Sequence, residues 1–339
     1  MTDTRAPSFR VLTRLRRTDA LRSLRRETQL APEDLVQPIF VTEDERDAGP
    51  VPSLPGISRI ALREVGPVVD EIAASGIRGV LIFGIPRAKD ESGDSAHDPQ
   101  GVVPRAVESI KRRNPDLAVT TDVCLCQYTT HGHCGVAAGA PGLDRRTLEA
   151  LGKTALAHAA AGADLVAPSG MFDGTVHTIR AALDANGFGQ VGILSYAVKY
   201  ASALYGPFRD AAASAPTSGD RRSHQIDPAN AREALAEARG DVDEGADAIM
   251  VKPAGPSLDV IARLRSAMPE LALAAYQVSG EYAMIAAAAD RGWLDRRSAA
   301  LESLTVIKRA GADMIVSYWA TEAARWLDRR STSGRRGSP

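Results

Sequence analysis

The stretch Gly245-Ala246-Asp247-Ala248-Ile249-Met250-Val251-Lys252-Pro253 decides the fold: a glycine, a tight turn, then a continuous apolar run that ends on a lysine. The same turn leads into DLVAPS (164–169) from Gly162-Ala163-Asp164 and into DMIVSYW (313–319) from Gly311-Ala312-Asp313; Gly76-Ile77-Arg78-Gly79 is a variant of it ahead of VLIFGI (80–85). A glycine closing a helix just before a strand is the αβ connection of an α/β unit. Working outward, the remaining runs are LVQPIFV (35–41), LAVTTDVCL (117–125), VGILSYAV (191–198) and LALAAYQVS (271–279), which with AIMVKP (248–253) makes eight candidate strands separated by alanine-rich helical stretches. Each run is continuously apolar, as parallel strands covered by helices require. Eight such units predict an α/β chain folded as a (β/α)8 TIM barrel. A doubly wound open sheet is the alternative, but no GxGxxG follows the first strand to support it.

The ends of the chain read differently. Residues 1–30 form an N-terminal arm: between positions 5 and 30 stand eight arginines, with Leu12, Leu15, Leu21 and Leu24 at roughly helical spacing. The arm is either a solvated terminus or a segment laid on a neighbouring subunit. Residues 31–328 are assigned to the barrel, and 329–339, ending in STSGRRGSP, to a disordered tail. With 44% hydrophobic and 24% charged residues the 339-residue chain has ample core, so a disordered or fibrous class is excluded. A net charge of −1 provides no global field for nucleic acid. No run approaches the length of a membrane span, and the sequence MTDTRAPSFRVLTRLRR lacks the apolar segment of a secretory signal, so a cytoplasmic location with neither nucleic acid nor membrane as partner is expected.

A barrel puts its chemistry at the C-terminal ends of the strands. All three cysteines fall there in one window after the third run, Asp122-Val-Cys124-Leu-Cys126-Gln-Tyr-Thr-Thr-His131-Gly-His133-Cys134-Gly. Cys124 and Cys126, two apart on an extended chain, would leave the same face, and a glycine loop can return Cys134 to them. Three converging sulfurs suit zinc with a fourth position left open, unless the cysteines are merely small buried hydrophobes. His131 and His133 read as supporting groups or substrate contacts, though either could complete a four-ligand site. Of 41 basic residues only six are lysine, so a lysine at a strand end is worth attention. Lys199 and Lys252 end the adjacent fifth and sixth runs. Apolar walls and a facing cation favour the neutral amine, a nucleophile that forms Schiff bases with carbonyl substrates; the bland reading is a salt-bridged structural lysine. Lys111, Lys153 and Lys308 fall in helical patterns and are expected to be solvated.

Asp122 reads as a proton-handling group or a strand-end hydrogen-bond partner. Tyr276, Ser279, Ser317 and Tyr318 end the last two runs with hydroxyls suited to a carboxylate. Two long polar loops follow strands, 86–101 and 206–228, and the second is a lid candidate whose Arg209 and Arg221 suit carboxylate recognition.

Taken in order, DVCLCQYTTHGHCG, APSGMFDG (167–174), LSYAVKYASALYGPFRDAA (194–212), GDRRSHQIDPAN (219–230), MVKPAGPSLDV (250–260) and AYQVSGEY (275–282) resemble the porphobilinogen synthases, also called 5-aminolevulinate dehydratases, of the zinc-dependent type. The resemblance runs from about residue 8 to 328. It implies condensation of two 5-aminolevulinate molecules to porphobilinogen with loss of two waters, on the way to tetrapyrroles such as heme. It also implies Schiff bases on Lys252 for the first substrate and Lys199 for the second, and zinc on Cys124, Cys126 and Cys134. Ser279 and Tyr318 would hold the first substrate's carboxylate, and Arg209, Arg221 and Gln225 the second's. The family is typically a homo-octamer whose arms embrace neighbours. Some members bind an allosteric magnesium, and Glu237 occupies a similar position; the other reading of Glu237 is a solvated helix face. The chain departs from the pattern at His224, where the lid usually has tyrosine, and at Phe172 and Thr175. Two rivals remain: a class I aldolase, which needs no cysteine cluster, and a non-catalytic barrel, which needs neither the lysines nor a lid.

Overall fold

The structure is a computed structural model and describes residues 11–136 and 144–333. Its strands are β1 (Leu35–Thr42), β2 (Gly79–Ile85), β3 (Ala118–Val123), β4 (Leu165–Pro168), β5 (Gly192–Lys199), β6 (Ala248–Lys252), β7 (Ala272–Gln277) and β8 (Met314–Ser317). Each pairs in parallel with the next, and β8 returns to β1 through Leu35 opposite Ile315 and Val36 opposite Val316. The ring is closed, which removes the open sheet. The covering helices are α1 (Val65–Ala74), α2 (Val102–Arg113), α3 (Arg145–Ala160), α4 (Thr175–Ala185), α5 (Glu233–Asp243), α6 (Leu258–Ala267), α7 (Arg296–Ala310) and α8 (Ala320–Ser333). In α2, Val103, Ala106, Val107 and Ile110 recur at i, i+3, i+4, i+7 and are all buried, while Lys111, Arg112 and Arg113 fill the last turn, where positive charge suits the helix dipole.

The repeated glycine turns have a common hydrogen-bond logic. Gly76, Gly162, Gly245 and Gly311 all have positive φ, which a residue with a Cβ adopts poorly. In the three Gly-Ala-Asp copies the aspartate pairs with the start of the preceding strand through both backbone and side chain. The Asp164 N–H donates to the Val119 carbonyl and its carboxylate accepts the Val119 N–H; Asp247 does the same with Ile193 and Asp313 with Leu273, at 2.7–3.0 Å throughout. Here Lys111 departs from expectation: its amine is 2.9 Å from Asp164, as Lys308 is from Asp34, so these lysines brace the N-terminal end of the barrel. Lys153 is exposed as expected.

The described part of the arm, from residue 11, holds a short 3-10 helix (Leu12–Arg16) and a six-residue α-helix (Asp19–Leu24) with no buried residue, and Leu12, Leu15 and Leu24 are exposed. The expected tail, 329–339, is described only in its first residues. α8 continues to Ser333, because nothing breaks the helix before Gly334 and each further residue adds one hydrogen bond; positions 334–339 lie outside the described residues. Two short strands were not foreseen, Gly49–Pro50 and Ser58–Ala61; the second runs parallel to the end of β1. Among the described residues no helix is long and apolar enough to cross a membrane.

Candidate active site

Lys199 and Lys252 are direct partners across β5 and β6, only 6% and 5% exposed at the C-terminal mouth. The Lys199 amine donates to the Ser169 carbonyl at 2.5 Å. The Lys252 amine stands in a cage of rings, 4.2 Å from the centroid of Tyr276, 5.0 Å from Phe208, 5.1 Å from Tyr196 and 5.3 Å from Tyr205. Ring faces attract a cation, but burial first and the neighbouring Lys199 second dominate and hold Lys252 well below the usual lysine range. Strict alternation would place Tyr196 and Lys199 on opposite faces of β5. A register shift between Ser195 and Val198 turns both inward, and the Lys199 amine lies 5.7 Å from the Tyr196 ring.

Asp122, the penultimate residue of β3, is buried beside the two amines. Its Oδ2 accepts from the Gln127 amide at 3.0 Å, and its Oδ1 has no hydrogen-bond partner. Burial pushes its carboxyl up, opposed by Gln127, the Ser169 hydroxyl and the charges of Lys199 and Lys252. A carboxyl balanced in this way can take up and return a proton.

The three cysteines come together, though not by the expected route. β3 ends at Val123, and a turn in which Tyr128 and Thr129 both donate to the Leu125 carbonyl curls the chain. The three sulfurs lie within 4.8 Å of one another, all buried, with Cys124 and Cys126 Sγ 3.4 Å apart. Hydrogen bonds among the thiols push Cys124 well up and pull Cys134 well down. Three soft donors this close fit a thiophilic ion, whose charge would relieve their mutual repulsion. The two nearby histidines face elsewhere: His131 Nε2 lies 3.1 Å from the Glu91 carbonyl, its Nδ1 accepts from the His133 N–H, and His133 Nε2 is 3.0 Å from the Ser218 carbonyl.

The Ser218 contact belongs to the 206–228 segment, the lid candidate, which packs over the site. Its helix Gly206–Ala211 sets Phe208 edge-on against Phe83 at 4.9 Å, directly over Lys252. Arg221 donates to the Gly132 and Ser214 carbonyls at 2.7 and 2.6 Å, joining lid to cysteine loop. Burial works against its charge, but Cys134, Cys126 and Cys124 together outweigh burial and raise its pKa. Burial first and Arg221 second lower Arg209. Nε of both arginines and Nε2 of Gln225 are buried with no partner. Lys89, which the sequence did not single out, donates to the Ala213 carbonyl and ties the 86–101 loop to the lid.

Of the strand-end hydroxyls, Tyr276 and Tyr318 are 3.1 Å apart. Ser279 accepts from the Phe208 N–H and donates to the Leu204 carbonyl, but it opens the helix Ser279–Asp290 instead of ending β7. Ser317 is engaged with Gln277 and the Trp319 N–H. Glu237 is not simply a solvated helix residue: it lines a 210 Å³ cavity with Asp173, Asp241 and Glu244, and burial followed by these neighbours pushes its carboxyl up. It is not part of the sulfur cluster, the compact group of metal-ligand side chains among the described residues.

The family model for delta-aminolevulinic acid dehydratase matches residues 10–326. The chain belongs to the delta-aminolevulinic acid dehydratase family. It is 50% identical over 321 residues to the dehydratase of Halalkalibacterium halodurans, covering 95% of this chain and 98% of that one. It is 52% identical over 314 residues to that of Archaeoglobus fulgidus, covering 93% and 97%. A crystal structure of the Toxoplasma gondii enzyme in complex with the reaction product porphobilinogen superposes with a TM-score of 0.93 at 40% identity, covering 98% of this chain and 96% of that one. The chain is thus a hydro-lyase with the activity of this family, the condensation of 5-aminolevulinate to porphobilinogen. That membership removes the aldolase and the non-catalytic barrel, and the cysteine cluster is the group able to hold a metal.

Proposed function

We propose that Lys252 and Lys199 each form a Schiff base with one molecule of 5-aminolevulinate. The facing pair of amines, with Lys252 held below the ordinary lysine range, is the observation that carries this reading. The neutral Lys252 amine attacks the substrate ketone; the C–O bond breaks, water leaves, and the resulting iminium draws electrons from the adjacent carbon. Lys199 engages the second ketone in the same way. Asp122, with one oxygen free, takes the proton released at an amine and returns it to the departing water. Ser279, Tyr276 and Tyr318 exchange their internal hydrogen bonds for the first substrate's carboxylate. Arg209, Arg221 and Gln225 direct their unpartnered nitrogens at the second's. Closure of Phe208 over Lys252 excludes water from the imines.

The sulfur set favours zinc over magnesium, and Cys124, Cys126 and Cys134 would hold it where a Lewis acid can polarise the second substrate. Glu237, with three further carboxylates around its cavity, is the position for a hydrated magnesium ion that acts from outside the active site. The exposed leucines of the arm suit burial against a neighbouring subunit in a homo-octamer. Buried free thiols accord with the reducing cytoplasm.

Borohydride reduction during turnover of 5-aminolevulinate, followed by peptide mass spectrometry, tests the central step. A reduced adduct on Lys252, absent from Lys252→Met, is the expected result. An unmodified Lys252 under conditions where porphobilinogen is being made would overturn the assignment.

A further inference from the structure

The sulfur cluster supplies three donors, and a tetrahedral thiophilic ion takes four. Three histidines lie near it, and the structure distinguishes them. His131 and His133 direct ring nitrogens at the backbone carbonyls of Glu91 and Ser218, so they fasten the loops and the lid. His224 sits on the lid itself, at the end of the 3-10 turn Arg222–His224. Its Nδ1 lies 3.3 Å from the Ser223 hydroxyl, while its Nε2 is buried with no hydrogen-bond partner. The ring packs 4.9 Å from Phe172, the side chain that itself packs against Cys124, Cys126 and Cys134. The imidazole also lies beside the Cys134 thiol.

We propose that His224 Nε2 is a fourth ligand carried by the lid, so that closing the lid completes a Cys3His shell around the ion held by Cys124, Cys126 and Cys134. This rests on the reading that the three cysteines bind a metal. An orphaned buried imidazole nitrogen is unfavourable to leave unpaired, and an ion among the sulfurs gives it a partner without moving the backbone of β3 or the cysteine turn. Ligation draws the ring from beside Cys134 toward an ion among the sulfurs. A histidine at this lid position, where the family resemblance leads one to expect tyrosine, therefore changes what the closed lid does. It shields the ion as well as the lysines, and the coordination position opens to substrate only when His224 yields.

The test uses the full chain loaded anaerobically with cobalt(II) and examined by X-ray absorption, with chelator competition giving the affinity. The wild type is expected to show three sulfurs and one nitrogen with outer-shell imidazole scattering. His224→Ala and His224→Gln are expected to lose that scattering and at least about tenfold in cobalt affinity, at an unchanged melting temperature. Imidazole scattering absent from the wild type, or retained in both variants, overturns the proposal while leaving the cysteine site intact. A wild type that binds no cobalt, as Cys124→Ala is expected to behave, overturns the metal reading and this inference together.

Discussion

The two ends of the barrel are built from the same strands on opposite principles. At the N-terminal end Asp164, Asp247 and Asp313 each complete a reciprocal pair with a strand start, Lys111 and Arg265 pair with the carboxylates of Asp164 and Asp313, and Lys308 donates to Asp34 and to the Asp313 carbonyl. At the C-terminal end Asp122 Oδ1, Nε of Arg209 and Arg221, Gln225 Nε2 and His224 Nε2 are buried without partners, and one amine faces another. Buried polar groups are nearly always paired in native proteins. Unmet hydrogen bonding concentrated at one end, with none at the three turns of the other, marks where a ligand completes the structure. The N-terminal end stabilises the fold, and the mouth keeps polar groups that binding can satisfy.

The comparison breaks most visibly at Lys252. Lys252→Met should reduce kcat by at least about 10³-fold, since it removes the proposed nucleophile. The same change should leave stability equal or higher near neutral pH. The folded-state pKa of Lys252 is lowered, so the unfolded chain binds the proton more tightly and wild-type stability rises with pH until the unfolded lysine titrates at about 10.4. The advantage of the methionine variant therefore shrinks as pH rises toward that value. Thermal melts at several pH values with parallel assays check both halves; a variant that is much less stable at pH 7 would mean the amine is structural.

Asp313→Ala probes the other end. It removes the acceptor for the Leu273 N–H and the partner of Arg265, and it should lower stability by about 1–3 kcal/mol. That corresponds to a melting-temperature decrease of roughly 2–6 °C, with kcat within twofold of wild type. Loss of activity without loss of stability would mean that the two ends are not separable.

This division also explains what the sequence revealed. The closed barrel was legible because a positive-φ glycine, a turn aspartate and an apolar run recur with fixed spacing, and each copy has a local physical reason. The lysines and cysteines were legible because their residue types are scarce in this chain. The ring cage around Lys252 was not, since Tyr196 reaches it only through the shift in β5, and Phe208 arrives from a lid with no periodicity. The cysteines converge through a turn, where two-residue alternation predicted an extended strand. His224 and Lys89 were passed over as site groups because lid contacts depend on tertiary packing, and no spacing rule carries it.

The smallest effect concerns the carboxylate cavity beside the mouth, which is intermediate between the two ends. Asp241 accepts from the Ser195 hydroxyl, yet burial, reinforced by Glu244 and Asp173, pushes its carboxyl up to about 6. A raised folded-state pKa means that the native state holds the proton more tightly than the unfolded chain, whose aspartate titrates at about 3.9. The stabilisation is thus complete below that value, declines as pH rises through the interval to about 6, and is absent above it. Asp241→Asn, which cannot ionise, should melt slightly above the wild type at pH 8 and much closer to it at pH 4.5. A divalent hard cation in the cavity would act on the same imbalance, so millimolar magnesium should narrow the gap at pH 8 by stabilising the wild type alone. A melting difference that does not vary between pH 4.5 and 8 would show that solvent already satisfies these carboxylates, and would return Glu237 to the solvated helix face that its sequence pattern allowed.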